Sequence, residues 1–205
     1  MPRGRPREFD TEEALDAALE VFWRKGYEGA SLPDLTQAMG INRPSLYAAF
    51  GNKEELFRRV ITRYVEGPAA YVRKALEEPT ARAVAERLLL RSIDLVTDPR
   101  NPSGCLLVQG ALACGEAADS IRRELAARRL ATELAIRERF ERARSEGDLS
   151  ADANPADLAR FVSTLLRGIA VQAAGGTSRT ELRRVARLAL RAWPRGRGQA
   201  RVRAP

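Results

Sequence analysis

The side chains able to do chemistry in this 205-residue chain are bounded first by what it lacks: it has no histidine. That removes the commonest general base and the commonest zinc ligand. The only two cysteines, Cys105 and Cys114, are nine positions apart. On one straight helix that spacing is about 900° of rotation and ~13 Å of rise, so the thiols point to opposite sides. Within such a helix they neither share an ion nor form a disulfide. Only a break at Gly110 or pairing across a dimer would bring them together, and buried core thiols are the default expectation. The Asp and Glu residues fall at helix caps and on exposed faces instead of converging. No catalytic residue, metal or cofactor is expected. What remains is recognition chemistry. In Ser31–Phe50, SLPDLTQAMGINRPSLYAAF, Arg43, Pro44, Ser45, Tyr47 and Ala48 gather on the N-terminal and outer part of one short helix. In a helix-turn-helix those positions face the major groove. Upstream, Pro2-Arg3-Gly4-Arg5-Pro6 has the Arg-Gly-Arg core of an AT-hook-like arm, which lays arginines along a narrow A·T-rich minor groove.

The elements that must position these groups read as helices throughout. Leu15, Ala18, Leu19 and Phe22 form an apolar stripe at i, i+3, i+4 and i+7, starting after a cap at Asp10 and ending near Gly26. Ser31 opens a short helix closed by Gly40, and Asn42 opens another with Pro44 in its first turn. Leu35, Ala38, Ile41 and Leu46 are the inward set that fixes the crossing angle. Asn52 with Glu55 caps a long helix over 52–77, which Pro68 should kink or shorten. Further helices are expected over Thr80–Val96, Cys105–Cys114, Ala117–Ser145, Pro155–Ala174 and Arg179–Trp193, with the clearest loop at Asp98–Gly104. The reading is all-α, with about nine helices. No apolar run approaches the ~18–20 residues of a membrane span, and the basic N-terminus has no secretory h-region. A cytoplasmic protein without membrane association is expected.

Charge is less informative than its total suggests. The chain carries a formal +8, yet Arg179–Pro205 alone holds nine Arg against one Glu. Met1–Arg59 is almost neutral, with nine basic and ten acidic residues. Local arrangement, not bulk basicity, has to carry any nucleic-acid reading.

Across roughly Phe9–Arg59 the sequence resembles the TetR family of bacterial regulators. The likeness rests on ALEVFWRKGYEGASLPDLTQAMGI, on NRPSLYAAFGNKEELF, and on the spacing between them. Leu46-Tyr47-x-x-Phe50 followed by Lys53-Glu-x-Leu56 is the specific part. The resemblance implies that Ser31 and Tyr47 bond phosphates, and that Lys53 clamps another beside the positive end of its helix. Arg43 becomes the candidate for a bidentate guanine contact, with Pro44 and Ser45 touching base edges. Tyr47 as a core residue and Lys53 as a solvated charge are the plainer alternatives.

The same resemblance implies a homodimer that presents two recognition helices to a palindromic operator on double-stranded DNA. Its interface would come from the last two long helices, through Leu158, Phe161, Val162, Leu165, Ile169, Leu182, Val185 and Ala189. The middle helices would hold a small-molecule effector among Tyr71, Arg87, Arg91, Cys105, Val108, Gln109 and Leu112. The expected division is a flexible basic arm over 1–8, a helix-turn-helix domain over 9–51, a connecting helix over 52–77, an effector and dimerisation domain over 78–193, and a disordered basic tail over 194–205. The implied function is a ligand-released repressor, with activation as a variant. A helical metabolic enzyme without DNA binding and a helical interaction protein are the competing readings. The first needs converging acid and base residues that the sequence does not offer.

Overall fold

The computed structural model describes residues 9–112 and 118–194, the side chains of 111 and 112 excepted. Arg3, Arg5, Cys114 and the side chain of Leu112 therefore lie outside the described residues. Each expected helix has a counterpart among the described residues, where no strand occurs; the parts of two expected helices that fall on 113–117 lie outside them. The helices are α1 (Thr11–Gly29), α2 (Leu32–Ala38), α3 (Arg43–Phe50), α4 (Lys53–Glu66), α5 (Tyr71–Leu76), α6 (Ala81–Val96), α7 (Leu106–Leu112), α8 (Asp119–Ser145), α9 (Pro155–Ala174) and α10 (Arg179–Arg191).

Local chemistry sets most of these boundaries. Asp10 accepts from the backbone N–H of Glu12 at 2.7 Å, Thr80 from Ala83 at 3.1 Å, and Asn154 from Ala156 at 3.0 Å. Reciprocal capping boxes start α2 (Ser31 with Asp34), α4 (Asn52 with Glu55) and α10 (Ser178 with Glu181). Each satisfies two backbone donors that a helix end leaves unpaired.

α10 ends at Arg191, two residues short of Trp193, and two other boundaries differ more from expectation. Gly26 does not end α1; it breaks it locally at φ 70, and the helix resumes to Gly29. The expected 52–77 helix is interrupted between Glu66 and Tyr71. Pro68 has no N–H to continue the ladder, and the Tyr64 carbonyl accepts instead from Ala69 at 2.9 Å. The result is α4, a turn, and the short α5.

Burial is organised around two apolar clusters. One gathers Phe22, Leu35, Leu46, Phe50, Phe57 and Ile61 from α1–α4, together with Leu106, Ile121 and Leu125 from α7 and α8. The other gathers Leu88, Ile93, Ile136, Phe140 and Val162 from α6, α8 and α9, with Trp193 from just beyond α10. Cys105 packs against both. The N-terminal helices are thus sealed onto the rest of the chain: α1 packs on α4 and α7, and Trp23 Nε1 donates to the Gly104 carbonyl at 3.0 Å. Burying side chains such as Phe22 or Phe57 contributes about 1.5–3 kcal/mol apiece.

The α9 and α10 stripes turn inward more than the sequence suggested. Val162, Ile169, Leu182 and Ala189 are buried in the chain's own fold, because both helices pack on α6 and α9 also packs on α8. Leu158 and Leu165 are half-buried against the same core. The exposed apolar side chains are Phe161 and Val185 from the expected set, with Val171 and Leu188 added. Leu188 is 63% exposed.

Candidate nucleic-acid interface and ligand cavity

The turn between α2 and α3 depends on Gly40, whose φ of +64 lies in the left-handed region. L side chains other than Asn and Asp adopt that conformation reluctantly. Ile41 N–H closes the turn onto the Thr36 carbonyl at 3.1 Å. Leu35, Leu46 and Phe50 face inward, with Ile41 packed against them. Ala38, expected in that inward set, is exposed, and its neighbour Met39 is buried in its place. Met39, still αR and bonded through its N–H to the Leu35 carbonyl at 2.9 Å, falls on the Leu35 face one turn on, and Ala38 lies at its outer edge.

The outward face of α3 is open. Arg43, Pro44, Tyr47 and Ala48 are exposed, and Ser45 is half-buried with its N–H bonded to the Asn42 side chain at 2.8 Å. Tyr47, 48% exposed, is not a core residue. Asn42 therefore holds the first turn of α3 rigid while leaving the Arg43 side chain to reach outward. Arginine presents a planar fork that fits guanine bidentately, and a tyrosine hydroxyl suits a phosphate oxygen.

Flanking groups are more constrained. The Ser31 hydroxyl donates to Asp34 Oδ2 at 2.8 Å, and Asp34 is paired with Lys25 at 2.7 Å. Lys25 and the Ser31 donors hold the Asp34 carboxyl down at about 2. Ser31 thus stands beside a permanent carboxylate, and its backbone N–H also donates to Asp34 at 3.0 Å. Lys53, the first residue of α4, rests its ammonium 4.6 Å from the centroid of the Tyr27 ring. Partial burial pushes its pKa down, opposed by nearby Glu28. Sequence reasoning missed Arg59. Exposed, it lies over the Phe50 ring at 5.6 Å and donates to the Ala49 carbonyl at 3.2 Å, beside the C-terminal end of α3. Its signal was only an i+9 spacing from the end of α3, which no motif marks.

A separate cavity of about 80 Å³ lies behind this head, walled by residues of α4 to α9. Of the side chains the sequence suggested for a pocket, Tyr71, Cys105 and Val108 line it. Arg87 and Arg91 do not. They sit on the opposite side of α6 from Leu89 and Ile93, in a surface depression with Glu78, Asp94 and Arg183. Arg87 pairs with Glu78. Gln109 is not in the lining either; its carboxamide lies against Gly104. The lining that the sequence did not suggest includes Tyr64, Ser92, Arg129, Ser163 and Arg167.

The Tyr64 hydroxyl donates to Cys105 Sγ at 3.3 Å. Desolvation pushes both phenols, Tyr64 and Tyr71, up, and it raises the Cys105 thiol as well. All three groups are neutral at physiological pH, and the cavity is largely apolar. Tyr64 also stacks edge-on against Trp23 of α1, with ring centroids 4.8 Å apart. One residue of α4 therefore touches both the cavity and the head. Among the described residues no group of His, Cys, Asp and Glu could hold a metal ion.

Comparison with known proteins identifies the architecture. Residues 14–60 match the family model described as bacterial regulatory proteins, tetR family. Residues 82–189 match that of the tetracyclin repressor-like C-terminal domain. The HTH-type transcriptional repressor ComR of Escherichia coli (strain K12) is 32% identical over 194 residues, covering 94% of this chain and 92% of its own length. The repressor BdcR of the same strain is 37% identical over 109 residues, which is 52% of this chain and 55% of that one. A solved structure of the TetR family transcriptional regulator CifR is 44% identical with a TM-score of 0.89, covering 93% of this chain and all of that one. That protein was captured as a cysteine mutant complexed with 26-base-pair double-strand operator DNA.

Proposed function

The chain belongs to the TetR family of bacterial transcriptional regulators, and from that premise we propose that it is a dimeric, sequence-specific repressor which releases a palindromic operator when a small molecule enters the cavity behind its head. It is a DNA-binding regulator and not an enzyme. The observation that carries the reading is the outward face of α3: Arg43 and Tyr47 exposed on a helix whose start is fixed by Asn42 and whose inner side is locked by Leu46 and Phe50.

In this reading Arg43 reads a base edge, Pro44 and Ser45 approach the groove floor, and Tyr47, Lys53 and Ser31 hold phosphates. Arg3 and Arg5 add a minor-groove arm. The dimer face is built from Phe161 and Val171 of α9 and Val185 and Leu188 of α10, whose exposed apolar side chains favour a second copy of the chain. Two-fold pairing then matches operator symmetry. No helix among the described residues is long and apolar enough to cross a membrane; the working compartment in this reading is the cytoplasm.

Release follows from the packing. A ligand that displaces Tyr64 or Cys105 also moves α4. That helix carries Phe57, packed at 4.8 Å against Phe22 of α1, and Arg63, bridged to Asp16 at 2.6 Å. Arg58 ties α4 to Glu124 of α8 at 2.9 Å. Head orientation and cavity shape are thus one coupled packing, and a ligand shifts it only through its difference in affinity between the two arrangements.

The test is selection of genomic fragments by purified protein, comparing wild type with Arg43→Ala/Lys53→Ala at moderate salt. Recovery of a palindrome by wild type alone is expected. Equal enrichment by both proteins, or none by wild type, would sink the assignment.

A further inference from the structure

The cavity carries a charge imbalance that its apolar character makes costly. Arg129 of α8 and Arg167 of α9 both line it. Arg167 is neutralised by Glu133 at 3.0 Å, and Arg160 shares the same carboxylate at 3.4 Å. Arg129 donates only to the Leu107 carbonyl, at 2.5 Å. Among the described residues no carboxylate lies within ion-pair distance of it. Partial burial and the field of Arg167 both push its pKa down. Arg160 lies outside the lining with its side chain 70% exposed, where water screens it; of the two guanidiniums in the wall, Arg167 has Glu133 and half-buried Arg129 has no carboxylate.

A second polar group points the same way. Ser163, only 4% exposed and one turn before Arg167 on α9, has a hydroxyl without a partner among the described residues. Buried hydroxyls are normally bonded, so an orphan in a cavity wall marks a place where something else supplies the acceptor. Val72, Leu95, Val96, Val108 and Leu166 make the apolar part of the wall, and the other polar groups on it, among them Ser92, Thr132 and Tyr71, carry no formal charge.

We infer that the cavity takes a small amphipathic monocarboxylate, its carboxyl against Arg129 and Ser163 and its apolar part among Val96, Val108 and Leu166. This rests on the reading of the cavity as the effector site. One missing negative charge matches one carboxylate, whereas a phosphate would bring more charge and bulk than the site balances. The apolar walls disfavour a bare hydrated anion. The size is limited as well. A cavity of about 80 Å³ is roughly half of one that holds benzene, so it seats the carboxyl and the first carbons of an acid, and a chain of about four to six carbons needs Tyr71 or α7 to yield.

The test uses full-length protein with hexanoate and butyrate as probes, against 1-hexanol and hexylamine of the same shape, all at matched ionic strength. Calorimetric titration is expected to give saturable binding of hexanoate at least tenfold tighter than of 1-hexanol, and none of hexylamine. Arg129→Gln, which keeps a donor for the Leu107 carbonyl, should weaken hexanoate at least tenfold and leave 1-hexanol unchanged. Arg129→Lys should restore part of the loss, and Ser163→Ala should cost several-fold. Circular dichroism checks the fold of each variant, and the comparison of ligands on wild type stands even if one variant misfolds.

Equal binding of acid and alcohol, absence of saturable binding by both acids, or indifference of hexanoate to both Arg129→Gln and Ser163→Ala overturns the inference. Fragment selection in parallel separates the two levels. If a palindrome is recovered but no acid binds, the ligand class alone falls. If no fragment is recovered, the regulator reading falls whatever binds the cavity.

Discussion

Arg43 and Tyr47 stand on α3 and Lys53 opens α4, and the proposed reading gives them different kinds of work. Arg43 makes no bond to any described residue, so its fork is available for a base. Arg43→Ala is expected to cost about 1–3 kcal/mol of discrimination at one operator position, and Arg43→Lys should not rescue it, since an ammonium lacks the bidentate geometry. Binding to operators mutated at single positions checks this. Lys53, resting on Tyr27, is a phosphate clamp in the proposed reading. Lys53→Ala should weaken binding to every sequence alike and lower the slope of log affinity against log salt by about 1. Asp34 gives a pH signature. Its carboxyl is held at about 2 against an ordinary 3.8, so the stability it contributes is complete above the ordinary value and is lost as pH falls through the lower one. The stability difference between wild type and Asp34→Asn, followed by acid titration, should therefore be constant above about pH 5 and vanish towards pH 2. A difference that disappeared near neutrality would contradict the pairing with Lys25.

The caps and the turn make the head a set of short helices that hold shape without much length. Helices of seven and eight residues, such as α2 and α3, are too short to persist alone in water, so capping and burial carry them. Asn42→Ala should destabilise the protein by about 1 kcal/mol and reduce operator affinity further by loosening the first turn of α3. Thermal unfolding and binding measured together separate the two effects. Gly40→Ala meets no steric neighbour within 4 Å, so its cost is the left-handed backbone alone, about 1 kcal/mol. At this scale the sequence is easy to read, because Asp10, Ser31, Asn42 and Asn52 announce their helices within four residues of chain. The misreadings are also local in cause: Gly26 has the appearance of a stop signal, and Pro68 interrupts a pattern whose apolar periodicity runs past it. The cavity was legible only in part because it is not an element. Tyr71, Cys105 and Val108 are apolar or weakly polar residues that a sequence can suggest, but Arg129 and Arg167 look like any other arginines on arginine-rich helices. Only the packing of α8 on α9 turns those two towards each other. Arg87 and Arg91, equally plausible by type, fall on the other side of α6.

Taken whole, the molecule is two apolar clusters joined by α4, α7 and the start of α8, with an outer face on α9 and α10. A charge placed on that face should separate the proposed dimer without unfolding the chain, because Leu188 is not part of the internal core. Leu188→Glu is expected to halve the mass seen by light scattering and to abolish binding to a full palindrome while leaving the circular dichroism unchanged. A dimer that survives both Leu188→Glu and Val185→Glu would place the interface elsewhere. The joint between the clusters has a practical consequence as well. The chain contains only two tryptophans, and they report on different regions. Trp193 is packed edge-on against Phe140 inside the distal cluster, while Trp23 bridges the first helix to the Gly104 carbonyl and to the cavity-lining Tyr64. Replacing Trp193 with Phe leaves a single indole, where α1 meets the cavity wall. Its emission, sensitive to the loss of one indole hydrogen bond and one aromatic neighbour, makes the unlabelled protein its own optical gauge of whether head and cavity move together.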